Sequence, residues 1–224
     1  MAFQASLNGH RGAEAQARVQ RMVGAAQQLF IAHGYHRTTL DAILKVSGGS
    51  KATLRKYFGN KAGLLGEVLA DEAARCVARA GRALRLRTVE AALGSFSRVV
   101  LDFYCRTDAL LIYRAVIAQA AEEREVGRRF HADGHMTFVT ALAEFLAFWE
   151  ERGALKLINP LADSDRFLHM LRSGPHDQAL LGVKEPATRE AIREQVDACV
   201  RIFLGGCARR HRPARGSPHA SQVP

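Results

Sequence analysis

The chain has 224 residues, 48% of them hydrophobic and 24% charged, proportions of an ordinary globular protein with enough apolar surface to bury a core. Nothing approaches the roughly 20 apolar residues of a membrane helix, because Asp102 and Glu144 interrupt the greasiest stretches, 99–103 and 141–148. The first residues lack the basic-then-apolar layout of a secretory signal, so a cytoplasmic protein is expected.

The net charge of +10 is unevenly spread. Residues 1–61 hold nine lysines and arginines against two acids, residues 207–224 hold four arginines and no acid, and residues 62–206 are nearly neutral. Such a division predicts a basic N-terminal module that faces a polyanion, joined to a neutral body. Cys76, Cys105, Cys199 and Cys207 contain no CxxC pair. They are expected as free thiols in a reducing compartment.

Helical periodicity runs through the chain, and no run reads as a strand. Residues 1–12 are expected as a flexible arm. A first helix follows from Ala13 to His33, with Val19, Val23, Ala26, Leu29 and Phe30 on one face, and Gly34 ends it. Thr38 or Thr39 caps a short second helix that ends near Val46. Gly48-Gly49 makes a tight turn, and Ser50 caps a third helix that reaches Tyr57 or Phe58. Two short helices joined by a glycine turn make a helix-turn-helix. Phe30, Ile43, Leu54 and Phe58 supply its small core.

A fourth helix opens at Asn60-Lys61 and extends as far as Leu86. The body continues with helices from Val89 to Arg106, Asp108 to Arg124, Val126 to Arg152 and Leu161 to Arg172. Ser173-Gly174-Pro175 breaks the chain. Pro186 sits at the opening of a ninth helix that ends near Leu204, and a disordered basic tail covers 207–224. The fold is therefore expected to be all-α, about nine helices, with a DNA-facing module at 13–61 and a larger helical domain at 62–206.

The segment from Arg18 to Leu65 resembles the DNA-binding domain of TetR-family transcriptional regulators. The matching residues are Ala25-Ala26, Leu29-Phe30, Gly34-Tyr35, Thr38-Thr39, Gly48, Ser50-Lys51, Thr53-Leu54, Tyr57-Phe58, Lys61 and Leu64. Two positions depart from the family's pattern. Arg55 stands where a tyrosine usually meets a phosphate, and Gly49 stands where valine is common. Leu111 to Gly174 is similar to the AefR-like regulatory domain of that family.

The resemblance implies a two-fold dimer on a palindromic DNA operator, usually a repressor, released when a small molecule enters the body. In the third helix, Lys51, Thr53 and Arg55 are candidates to read base edges, with Lys56 presented beside them. Thr38, Thr39, Ser50, Tyr57 and Lys61 are candidates for the phosphate backbone. The effector pocket is expected from Phe96, Val100, Phe103, Tyr104, Tyr113, Ile117, Phe138, Phe145 and Trp149, and would take an apolar or aromatic ligand. His131 and His135 share one stripe with Phe138, Phe145 and Trp149 and could line that pocket. Two histidines four apart also have metal-ligand spacing, but sequence names no third ligand, so no metal is expected. Phe167, Leu168, Leu171, Ile192, Val196, Cys199, Val200 and Phe203 are expected at the dimer seam.

Two other readings compete. One is a sequence-tolerant architectural DNA-binding protein. The other is a redox-responsive regulator that senses through its cysteines. No P-loop, dinucleotide fingerprint, GxSxG or HExxH occurs, so neither enzyme activity nor a cofactor is expected.

Overall fold

The computed structural model describes residues 10–81 and 88–207. The expected arm (apart from 10–12), the reach of the fourth helix beyond Gly81 and the tail beyond Cys207 lie outside the described residues. Within them the chain forms α1 (His10–His33), α2 (Leu40–Ser47), α3 (Lys51–Phe58), α4 (Lys61–Gly81), α5 (Val89–Cys105) and α6 (Thr107–Ala120). Next come α7 (Arg124–Arg129), a π-helical turn (Phe130–His135) and α8 (Met136–Glu151), which follow one another without a break. The series closes with α9 (Pro160–Arg172), α10 (Pro175–Leu180) and α11 (Arg189–Cys207). No strand occurs among the described residues.

Local chemistry sets most of these boundaries. Thr39, Ser50, Thr88 and Asn159 cap α2, α3, α5 and α9, each accepting a backbone N–H near 3.1 Å. Gly34, at φ 78°, ends α1, and Gly153, at φ 74°, follows α8. Two departures from the expected helices have clear causes. Gly174 at φ 82° does stop α9, but Pro175 then opens α10, since a first-turn proline loses no helical hydrogen bond. The expected single helix over 126–152 contains a wider turn at 130–135, which changes the angular phase of everything before it relative to α8. Pro186 lies three residues ahead of α11 and belongs to its approach.

The side chains form two cores. One joins the three N-terminal helices to α4, α6 and α7 through Phe30, Ile43, Leu54, Phe58, Leu64, Leu65, Val68, Ile112, Val116 and Val126. The other fills the body between α4, α5, α8, α9 and α11, around Phe96, Leu101, Leu142, Leu146, Phe167 and Val196. Helix α4 contributes to both, so it couples the basic module mechanically to the body.

Candidate DNA-binding surface and effector cavity

The Gly48-Gly49 turn orients α3 against α2. Both glycines have positive φ, 72° and 98°, a region that a β-branched residue avoids. A Cβ on Gly49 would also lie 2.5 Å from Cε of Met22. The glycine at the valine position of the family pattern therefore follows from the backbone this turn adopts. Ser50 accepts the amide of Thr53 at 3.1 Å, and the two hydroxyls lie 3.0 Å apart. Leu54 and Phe58 anchor α3 inward. Lys51, Thr53, Arg55 and Lys56 are left on the outer face.

Lys51 forms an exposed ion pair with Asp41 of α2, at 2.8 Å. Such a pair contributes little and yields readily to a phosphate or base. Arg55 carries no ion pair among the described residues, and Lys56 lies 5.5 Å from the ring centre of Tyr57.

Two expected backbone contacts change role. Thr38 is buried, and its hydroxyl hydrogen-bonds the carbonyl oxygens of Gly34, at 2.8 Å, and Leu29, at 3.1 Å. It locks the end of α1 and has no face for DNA. The ammonium of Lys61 donates to the carbonyl oxygens of Tyr35, at 3.0 Å, and Thr38, at 3.2 Å, and lies 4.2 Å from the centre of the Tyr35 ring. Burial lowers its pKa, against the opposing pull of Glu123. Lys61 staples the loop between α1 and α2 to the start of α4. Sequence spacing could not separate this internal use of an ammonium from a phosphate contact.

The second candidate site is a cavity of about 60 Å³ between α4, the α5–α6 corner, the π turn and the ends of α9 and α10. Phe103, Tyr104, Tyr113, His135 and Phe138 of the expected set line it. The rings of Tyr113 and Phe130 stack at 4.9 Å, Tyr104 lies 5.3 Å from Phe138, and both tyrosines approach His176 within 6 Å. Other expected residues fall elsewhere. Phe96, Val100, Phe145 and Trp149 pack in the body core, while Ile117 and His131 face outward. Regular helical phase places these last two groups with the lining, but the π turn shifts the phase before α8 and the body core takes up Phe96, Val100, Phe145 and Trp149.

The cavity also has charged walls, which the apolar pattern did not signal. Arg106 donates to Asp108 at 2.9 Å and to Glu72 at 3.2 Å and is neutralised by both. At the other end stands Arg172, which has no carboxylate partner among the described residues. Its contacts are a 3.4 Å approach to the Tyr113 hydroxyl and the face of Tyr104. The Tyr104 hydroxyl, buried in this wall, has no hydrogen-bond partner among the described residues, and burial raises its pKa. Burial holds His135 and His176 below the usual histidine range, against the opposing hydrogen bonds to Asp165 and Asp177 and with the Arg172 charge adding to the lowering.

Residues 23–68 match the family model described as bacterial regulatory proteins, tetR family. Residues 91–206, more than half the chain, match that of the AefR-like transcriptional repressor, C-terminal domain. The chain belongs to the TetR family. Solved structures agree in fold. A TetR-family transcriptional regulator from Mesorhizobium loti is 22% identical, with TM-score 0.75, over 87% of this chain and 98% of its own. A TetR transcriptional regulator from Agrobacterium tumefaciens is 19% identical, with TM-score 0.68, over 86% and 95%. A protein described as the flavonoid-responsive regulator FrrA is 27% identical, with TM-score 0.65, over 86% and 98%. No curated protein matches the chain in sequence.

The expected dimer seam of this TetR-family regulator needs correction. Phe167, Leu168, Leu171, Ile192, Val196, Cys199 and Val200 are buried within the single chain, and Phe203 packs on Phe167 at 4.9 Å. Helix α11 lies against α5 and α9, so these side chains form the body's own core. The apolar residues that α9 and α11 leave exposed are Leu161 and Ile202.

The described cysteines offer poor material for a redox trigger. Cys76, Cys105 and Cys199 are buried and unpaired, and burial pushes the first two thiols up to about 11 and raises the third. A thiol reagent attacks the thiolate. In the Cys207→Ser variant, which isolates these three, native protein should react slowly, with full reaction only after unfolding. Rapid labelling of any thiol in the native variant would restore the redox reading.

No helix among the described residues is long and apolar enough to cross a membrane.

Proposed function

We propose that this TetR-family regulator is a cytoplasmic repressor that binds a palindromic operator as a two-fold dimer and leaves it when an aromatic ligand bearing an acidic group fills the cavity. The observation that carries this reading is the unpaired Arg172 guanidinium inside an aromatic-walled cavity. A partly buried cation without a counter-charge among the described residues favours a ligand that supplies one. The ring stack of Tyr113 and Phe130 and the unpartnered Tyr104 hydroxyl suit a planar molecule with a carboxylate or phenolate edge. The similarity to a protein described as flavonoid-responsive supports the same class.

Release would travel through α4. Val68, Leu69, Glu72 and Ala73 line the cavity, while Leu64 and Leu65, one turn earlier, hold the helix-turn-helix. Gln27 brings α1 to the same wall. A ligand that widens so small a space displaces α4 and changes the separation of the two α3 helices in a dimer. By linkage, that ligand binds the operator-bound form less tightly.

The test is binding of the purified protein to DNA from upstream of its own gene, with random DNA as competitor, across a salt series. Competitor-resistant binding that phenolic or carboxylic aromatics release, and uncharged aromatics do not, is expected. Binding that random DNA abolishes would favour the architectural alternative. In the same assay Arg55→Ala should relax preference at one base pair by roughly 1–3 kcal/mol if Arg55 reads a guanine, and should lower the salt slope by about one if it holds a phosphate. Unchanged binding would remove Arg55 from the interface.

A further inference from the structure

Outside the DNA-binding face, four groups with metal-ligating chemistry meet where the π turn packs on α9. His135 ends the π turn, and its Nε2 lies 2.6 Å from Oδ1 of Asp165. His169, one turn further along α9, brings its Nδ1 to 3.3 Å from the same carboxylate oxygen. One nitrogen of each imidazole and one carboxylate oxygen fall within 4.8 Å of one another. The ring of His131 lies 5.6 Å from that of His135. The cluster consists of two pairs, each spaced four residues apart, on two facing helical segments: the histidines at 131 and 135, and the aspartate and histidine at 165 and 169.

We infer that His135, Asp165 and His169 form a binding site for a divalent transition-metal ion of the zinc class, with a fourth position beside His131 that water or that imidazole fills. The donor set, two imidazoles and a carboxylate, suits such ions better than calcium or magnesium, which prefer oxygen ligands. Tetrahedral zinc, with bonds of about 2.0–2.2 Å, separates its ligand atoms by about 3.3 Å. The observed separations of 2.6 and 3.3 Å lie below and at that spacing, and the three ligand atoms all fall within 4.8 Å of one another, so the ion needs side-chain movements shorter than a bond. It takes the place of the proton that His135 Nε2 shares with Asp165, and the ring proton then sits on Nδ1. His169 Nδ1 donates to the main-chain carbonyl of Asp165 at 2.8 Å, and on metal binding it gives up that hydrogen bond, with the ring proton then carried on Nε2 toward solvent.

The sequence shows why this site is hard to read in one dimension. The 131/135 pair carries metal spacing but no visible third ligand, and the partners lie 30 and 34 positions away on a helix whose apolar face dominates its pattern. Only the crossing of α9 over the π turn joins them. His135 also lines the cavity, but Asp165 and His169 do not, so the test at those two residues stands apart from the effector reading.

The experiment uses the full-length chain without an affinity tag, stripped by a chelator and titrated with zinc against a chromophoric zinc indicator. Thermal unfolding is followed in parallel. One zinc per chain and a raised unfolding midpoint are expected, because an ion that binds only the folded form stabilises it by mass action. Asp165→Asn and His169→Ala should each weaken binding at least tenfold and remove the midpoint shift. Both side chains are about half exposed, so their replacement leaves the core intact, which circular dichroism checks. His33→Ala, at an exposed histidine elsewhere, should bind as the unaltered protein does. Absence of stoichiometric zinc binding, or its retention in either the Asp165 or the His169 variant, would overturn the assignment.

Discussion

Replacing Gly63 by alanine is expected to lower the thermal midpoint by roughly 4–8 °C and to weaken operator binding strongly. A Cβ at this position would lie 1.9 Å from the carbonyl oxygen of Phe58 and 3.0 Å from its carbon. That oxygen is main chain at the end of α3 and already accepts the amide of Asn60 at 2.8 Å, so no side-chain rotation relieves the contact. The amide of Gly63 is itself tied to Oδ1 of Asn60 at 2.8 Å. Alanine's better helix propensity contributes at most about 1 kcal/mol. Forced overpacking costs about 1–3 kcal/mol, and more where backbone must move. The clash therefore wins by about 2 kcal/mol, and each kcal/mol shifts the midpoint of a chain this size by roughly 2–4 °C. Because the displaced backbone joins α3 to α4, the recognition helix shifts with it. Gly24→Ala is the control: nothing lies within 4 Å of its Cβ position, and a small gain in stability is expected. A Gly63→Ala protein that melts and binds like the unaltered chain would show that α3 does not rely on this close approach.

Arg172→Met should weaken binding of an acidic aromatic ligand roughly ten- to hundredfold while leaving a neutral analogue of the same shape almost unaffected. Hydrogen bonds to charged groups contribute about 1.5–3 kcal/mol, and each 1.4 kcal/mol is tenfold in affinity. The folded protein should not suffer, since no carboxylate loses its partner. Arg106→Met is the contrasting case. It leaves Asp108 without its ion-pair partner in a partly buried wall and Glu72 with Arg75 alone, so it should destabilise the fold before it touches ligand choice. Equal loss for acidic and neutral ligands in Arg172→Met would mean that this side chain shapes the wall and does not select charge.

The helix-turn-helix was legible because its signals are local. Cap residues, a double glycine and the spacing of Leu54 and Phe58 each act within a few residues, and the structure places them as expected. Thr38 and Lys61 misled because the same hydroxyl or ammonium serves a phosphate or a carbonyl equally well, and only the path of the loop at 34–38 decides. The seam residues of α9 and α11 misled for another reason. Periodicity marks a face as apolar without saying which neighbour covers it, and α5 covers this one from within the chain. Arg172, Glu72 and His176 carried no pattern at all. Their convergence on one cavity is a product of tertiary crossing angles.

Val68 and Ile112 belong at once to the cavity wall and to the core that supports the DNA-binding helices. Under the proposed function, a lineage that acquires a new inducer through substitutions at these two positions must also retune how tightly the gene is shut off without inducer. Substitutions at Tyr113 or Arg172 carry no such burden, since neither side chain packs in that core. The diversification of inducer preference among descendants of this regulator should therefore run through the far wall, with the shared pair held nearly constant.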